Sequence, residues 1–187
     1  MAGDEPHMLW VIGPPAVGKM TVGAEIARLA RYRLFHNHMT IDLLTPFFAF
    51  GTPEFNRLIE AVRIPIFEEC AAAGMRVVFT AGWAFDVPAD REAVDRYCAP
   101  YRKHGYRVSF LELQAPIETR LARNRTEPRR SSKRLDWATD DALGESARLH
   151  RLSSDGDFPY PDEHAVIDNT ALAPEETARR AIALLRL

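Results

Sequence analysis

The chain is short of cysteine, of long hydrophobic runs and of net charge, and each shortage removes a class of explanation. Its two cysteines, Cys70 and Cys98 among 187 residues, form no CxxC or metal-ligand spacing. That favours reduced, buried thiols in a cytoplasmic protein over a disulfide scaffold. The longest apolar runs, such as LLTPFFAF, fall well short of the roughly 20 residues that span a bilayer, so no membrane partner is expected. The amino-terminal MAGDEPHMLW carries acids and no basic region, which argues against a secretory signal. A formal net charge of -2 provides no global attraction to nucleic acid or to an anionic membrane. Internal repeats and low-complexity segments are absent as well.

What is present is a regular alternation of short apolar runs with longer amphipathic ones, the pattern of a parallel sheet covered by helices. MLWVI (8–12) reads as a buried first strand ending at Gly13. Residues 19–31 place Val22, Ile26 and Leu29 at helical spacing, and 33–35 read as a brief second strand. Residues 54–73 put Phe55, Leu58, Ile59, Val62, Ile66 and Cys70 on one helical face, with a bend at Pro65 and a stop at Gly74. MRVVFTAG, YRVSFLEL and HAVID supply three more strands. Pro88, Pro116 and Pro174 open the helices that follow the last three strands. The expected fold is α/β, a three-layer sandwich of the P-loop NTPase type with about five parallel strands and a helical lid. It forms one domain over 1–187, with the lid inserted at about 124–158.

The chemistry begins at WVIGPPAVGKMTVG. Gly13, Gly18 and Lys19 keep the spacing of a phosphate-binding loop, G-x-x-x-x-G-K followed by Ser or Thr. A phosphate chain needs closely spaced donors without intervening side chains. A glycine-rich turn entering a helix N-terminus supplies them from the N–H groups of Ala16, Val17 and Gly18, and Pro15, which has no N–H, belongs to the same nucleotide-binding turn. Lys19 can reach the outer phosphates. Met20, however, stands where the metal-binding hydroxyl belongs, and a thioether is a poor ligand for Mg²⁺. Thr21 follows one residue later.

This G-K-x-T layout resembles adenylate kinase and its nucleoside-monophosphate kinase relatives, with the likeness carried by Gly13, Gly18, Lys19 and Thr21. Three further segments are similar to small P-loop kinases. FNRLIE resembles the F-R-x-x-E element of shikimate kinase, displaced by one residue, which implies that Arg57 grips the acceptor; the alternative is a solvated helix charge. The segment from Arg120 to Arg134 holds seven basic residues against one acid, Glu127. It falls where such kinases carry a lid with catalytic arginines, so Arg120, Arg123 and Arg125 are implied to meet the transferring phosphoryl group. HAVIDNTALAPEETARRAI resembles the end of these kinases, where the loop after the last strand, here Asp168, Asn169 and Thr170, packs on adenine through its backbone.

The resemblance has gaps. The turn after the second strand reads HNHMTIDLL, where shikimate kinase carries Asp-x-Asp. His36 and His38 are two apart and would share a side in an extended segment. Either they or Asp42 could take a proton from an acceptor hydroxyl; a hydrogen-bonded structural pair is the alternative. No third and fourth ligands fit a zinc site. VVFTAGWAFD has no acid at the strand end, leaving Asp42 and Asp86 as candidates for the metal. Gly82 could approach substrate by its backbone, and Trp83 with Phe85 could wall an acceptor pocket or belong to the core.

The expected activity is transfer of the γ-phosphoryl group of ATP, with Mg²⁺, to a hydroxyl of a small molecule, by a monomer or homodimer. RLDWATDDALGES loosely resembles the arginine-to-tryptophan run of tunicamycin-resistance proteins, which with chloramphenicol phosphotransferase form an antibiotic-resistance branch of these kinases. The rival is a nucleotide- and drug-binding resistance protein without efficient turnover, favoured by Met20 and the missing strand-end acid. A nucleic-acid-associated ATPase is a weaker rival. One basic loop in an acidic chain, without interleaved aromatics, gives it little support.

Overall fold

The apolar run after His7 becomes the central strand of a five-stranded sheet. The computed structural model describes residues 5–125 and 140–187. The elements are β1 (His7–Ile12), α1 (Lys19–Ala30), β2 (Arg33–His36), α2 (His38–Leu44), α3 (Pro53–Ala72), β3 (Arg76–Thr80), α4 (Pro88–Lys103), β4 (Arg107–Gln114), α5 (Ile117–Asn124), α6 (Asp140–Leu149), β5 (His164–Asp168) and α7 (Pro174–Leu185). The strand order is β2-β3-β1-β4-β5, and every neighbouring pair is parallel. The three-layer α/β sandwich expected from the alternation is the fold observed.

Every residue of β1 is buried, because the strand is covered on both faces. Alternation divides its side chains. Met8, Trp10 and Ile12 join Phe67, Phe79, Tyr97 and Phe110 in the core beneath α3 and α4. Leu9 and Val11 join Val22, Ile26, Leu111 and Ala178 beneath α1 and α7. With strand direction uniform, the C-terminal ends of all strands open on one edge of the sheet. The turn after β1 emerges there between its neighbours β3 and β4, the position at which open α/β sheets bind ligands.

Two local expectations need correction. The buried row of α3 is Phe55, Ile59, Arg63, Phe67 and Ala71, every fourth residue, rather than the row through Leu58, Val62, Ile66 and Cys70. Ile66 is in fact 38% exposed. The true row was obscured because an arginine occupies its centre. Likewise His36 and His38 do not share an extended segment. His36 ends β2 and His38 begins α2, so the chain turns between them.

At the opposite, N-terminal edge of the sheet, His7 is buried at 3% exposure. Its Nδ1 shares a hydrogen bond with the Tyr32 hydroxyl, and its Nε2 shares one with the Ser109 hydroxyl at 3.0 Å. Burial, with Arg107 and Arg76 nearby, pushes its pKa down from 6.5 to about 3. Below pH 6.5 the unfolded chain therefore binds a proton that the folded chain refuses, and stability falls as pH drops from 6.5 through 3. The loss from His7 between about pH 7 and about pH 5 is on the order of 2 kcal/mol. Urea unfolding at the two pH values should show a drop that shrinks by about that amount in His7→Gln.

Candidate active site

The loop between β1 and α1 is built from backbone. Gly13 has φ +133°, and a Cβ there would lie 2.4 Å from the Leu113 carbonyl oxygen, so only glycine lets the loop leave β1 so close to β4. Ala16 takes φ +65°, a left-handed conformation that costs a non-glycine residue about 1 kcal/mol and turns successive N–H groups towards one hollow. Gly18, at φ +105°, is the N-cap of α1, which starts at Lys19 with no acidic residue in its first turn. The positive end of the helix dipole is thus left without an acidic partner from its own first turn. Lys19 folds back over the loop, donating from Nζ to the carbonyls of Gly13 (2.7 Å) and Pro14 (2.8 Å). Met20 and Thr21 are both exposed.

Helix α5 lies along this loop. Arg120 is buried at 6% exposure and donates from Nη1 to the Pro15 carbonyl at 3.3 Å. Its buried Nε has no hydrogen-bond partner among the described residues. Burial holds the guanidinium below the ordinary arginine range, and the charge of Glu118 only partly offsets it. Such a group calls for an anion. Arg120, Pro14, Gln114, Arg151, Ser153 and Asp168 are among the residues lining a cavity of about 490 Å³ beside the loop. Arg123, three residues on, donates to the carbonyls of Val17 (3.0 Å), Asn169 (2.7 Å) and Thr170 (3.2 Å).

The other expected catalytic groups sit across the sheet edge. His36 is level with Thr80 of β3, which is level with Val11 of β1. Two strand spacings, about 10 Å, therefore separate His36 from the end of β1. Between them stands Gly82, exposed, with nothing within 4 Å of where a Cβ would be. The space over that glycine is open. Burial pushes the His36 pKa below the ordinary histidine value, and Asp42 pulls it partly back. The His36 Nδ1 is buried and has no hydrogen-bond partner among the described residues. Asp42 also approaches His38, Oδ1 to Nδ1 at 3.7 Å, so the structure brings His36, His38 and Asp42 together.

Three further positions differ from expectation in their surroundings. Trp83 is buried at 2% exposure, stacked on Phe85 and edge-on to Phe158; it is part of the core, whereas its neighbour Gly82 is exposed. Asp86 accepts from the backbone N–H of Arg151 at 2.8 Å, so one carboxylate oxygen is engaged in holding the chain that follows α6. Arg57 is exposed, two residues from both Phe55 and Ile59 and hence on the far side of α3 from the buried row. The arginine that α3 does turn inward is Arg63, which sequence reasoning missed. Its Nε donates to the Thr40 hydroxyl at 2.8 Å and its Nη2 to the Asn37 carbonyl at 3.1 Å, and it lies over the rings of Phe79 and Tyr97. It fixes the turn that carries His36 and His38. An arginine at the centre of an every-fourth-residue apolar row was the signal.

The segment expected as a lid is anchored at both ends. Asp140 accepts from Asn124 Nδ2 at 2.9 Å and from Arg125 Nε at 2.8 Å, drawing the insert's start and its return together. Arg129, Arg130, Lys133, Arg134 and Trp137 lie outside the described residues. Beyond α6, Phe85 donates its N–H to the Arg151 carbonyl at 2.8 Å. Glu112 of β4, fully buried, accepts at Oε1 from the Ser153 hydroxyl (2.6 Å), the Ser154 N–H (3.1 Å) and Gln114 Nε2 (2.8 Å). His164 Nε2 lies 3.2 Å from its other oxygen. Burial alone would raise the Glu112 pKa; these contacts outweigh it and hold it at about 2. Sequence reasoning passed over Glu112, although an acid between Leu111 and Leu113 in the apolar stretch of a strand was a visible anomaly.

Known proteins share this arrangement to different depths. A family model described as an AAA domain matches residues 8–151. A shikimate kinase of Halorhodospira halophila (strain DSM 244 / SL1) is 26% identical over 187 residues, covering 97% of this chain and 94% of that protein. The solved shikimate kinase from Acinetobacter baumannii, in complex with shikimate, superposes with a TM-score of 0.61 at 19% identity, over 97% of this chain and 93% of that one. The tunicamycin resistance protein of Deinococcus radiodurans superposes with a TM-score of 0.57 at 17% identity, over 96% of each chain. At such identities the two solved structures show a common fold.

Proposed function

The chain belongs to the AAA domain family, and from that premise we propose that it is an ATP-dependent kinase that moves the γ-phosphoryl group to a hydroxyl of a small molecule. The observation that carries the proposal is the cationic hollow beside β1: a glycine-shaped loop at a helix N-terminus, with the buried, incompletely partnered Arg120 against it. That donor set fits a polyphosphate. The N–H groups of Ala16, Val17 and Gly18 would hold the phosphates, with Lys19 exchanging its two loop carbonyls for phosphate oxygens. When bound, ATP supplies the γ-phosphoryl group and Mg²⁺ offsets its charge.

For Mg²⁺ itself the fit is to oxygen on the acceptor side. Met20 offers only sulfur, Asp86 has one oxygen engaged, and the exposed Asp42 is the better placed carboxylate. The remaining work is done by this chain. Arg120 stabilises negative charge at the transferring group, and Arg125 joins it from the lid. His36, kept neutral by burial, takes the acceptor proton at a ring nitrogen. The open floor at Gly82 admits the acceptor between His36 and the loop, and the anchored lid excludes water.

A coupled ADP-release screen with Mg·ATP over hydroxylated metabolites and antibiotics tests this. ADP formation should rise well above the acceptor-free background for one chemical class. Tight binding of ATP with no acceptor-dependent ADP across the set would instead support a binding protein without turnover.

A further inference from the structure

We propose that the side chain of Asn169 is a positioning residue for the phosphate loop, holding the Val17 carbonyl and thereby setting the direction of the Gly18 N–H. The inference rests on reading that loop as a polyphosphate site. It departs from the expectation that the turn after β5 contributes largely backbone contacts.

Asn169 is 3% exposed. Its backbone N–H donates to the Gln114 carbonyl at 3.0 Å, which fixes it to the end of β4. From that anchor its Nδ2 donates across to the Val17 carbonyl at 2.9 Å. Arg123 Nη1 donates to the same carbonyl at 3.0 Å and to Asn169 Oδ1 at 3.3 Å, while its Nη2 donates to the Asn169 carbonyl at 2.7 Å. One loop carbonyl thus receives two donors, and the carboxamide that supplies one of them is itself held at its oxygen.

The consequence follows from peptide geometry. In a planar trans peptide the C=O and N–H point in opposite directions. With the Val17 oxygen drawn towards Asn169, the Gly18 N–H must point away from it, into the hollow of the loop. The Gly18 side of the 17–18 peptide enforces little of this, because Gly18 has no Cβ to restrict its φ. The tie takes over that restriction. It requires a donor at this position: leucine has none, and aspartate would set a carboxylate oxygen against the Val17 oxygen.

A ligand with phosphates and no base separates this role from packing against adenine. Isothermal calorimetry with inorganic tripolyphosphate, ATP and adenosine would be run on the wild type and on Asn169→Leu, Asn169→Asp and Arg123→Gln. Thermal melts would accompany each variant. The wild type is expected to bind tripolyphosphate and ATP. Asn169→Leu and Asn169→Asp should lose about tenfold for both ligands, one charge-assisted hydrogen bond's worth, with adenosine binding unchanged. Arg123→Gln, which leaves the Asn169 donor in place, should lose less for tripolyphosphate. Should Asn169→Leu fail to fold, Asn169→Asp and Arg123→Gln still carry the test. Wild-type affinity for tripolyphosphate in Asn169→Asp, or an ATP loss fully matched by an adenosine loss, would overturn the inference and leave the polyphosphate reading standing. A wild type that binds neither tripolyphosphate nor ATP would overturn that reading and the inference with it.

Discussion

Lys19→Ala is expected to lower kcat/KM by about a thousandfold, some 4 kcal/mol of transition-state stabilisation, while barely altering the fold. The separation between the two effects is set by what Lys19 touches. In the structure its ammonium group binds two carbonyls, of Gly13 and Pro14, at a part-buried site. Losing those contacts costs stability about 1 kcal/mol, since water replaces much of the interaction. During phosphoryl transfer the same group would face oxygens whose charge is shifting, in a hollow already shaped by backbone donors, where a fixed cation counts for far more. Lys19→Arg should recover little, because a planar fork cannot occupy the space of a point charge above a tight loop. Steady-state kinetics alongside urea unfolding would check both halves. Turnover within a few-fold of wild type in Lys19→Ala would place the chemistry elsewhere.

The largest effect on stability is expected at Glu112. Glu112→Ala removes the acceptor for Ser153, Ser154 and Gln114 and the partner of His164, all within the sheet's buried edge. Breaking such a cluster on one side leaves polar groups buried without partners and should cost about 3–5 kcal/mol. Glu112→Gln keeps an acceptor oxygen and should cost about half as much. The sign of the pH dependence is fixed by the depressed pKa, about 2 against an ordinary 4.5. Glu112 contributes its full stabilisation above pH 4.5, and the contribution is lost as pH falls from 4.5 through 2. Urea midpoints measured across that window should converge between wild type and Glu112→Gln as the acid end is approached. A constant gap between them would show that the carboxylate is not held ionised. Because Ser153 lines the cavity beside the Gly13–Lys19 loop, a destabilised Glu112→Ala should also lose activity in excess of its unfolded fraction.

How much of this was legible depends on whether a residue's role is decided by its neighbours in sequence or by partners from afar. The phosphate loop was legible because Gly13, Gly18 and Lys19 act through local backbone geometry, and the strand before and helix after them are local too. Helix starts at Pro88 and Pro174 were legible for the same reason. The buried row of α3 was drawn along the wrong residues because Arg63 looks polar until Thr40, Asn37 and two aromatic rings are seen to receive it. Trp83 could be wall or core on sequence alone; the rings that bury it, Phe110 and Phe158, come from separate segments. Asn169 was expected on the nucleotide side, but the use of its side chain depends on Val17, 152 residues away. Short turns around His36 and His38 were misjudged because α2 is only seven residues long and is stabilised by packing against α3 rather than by its own propensity.

The central claim is that phosphate held at Gly13–Lys19 is passed to a small-molecule hydroxyl. Its most direct test is to follow the label from ATP radiolabelled at the γ-phosphate, with Mg²⁺ and the acceptor class that raises ADP release. The label should appear in the acceptor in equal amount to the ADP formed, and with Lys19→Ala both labelled acceptor and ADP should fall about a thousandfold. Label found only in orthophosphate, at a rate indifferent to the acceptor, would contradict the claim and make the protein an ATPase.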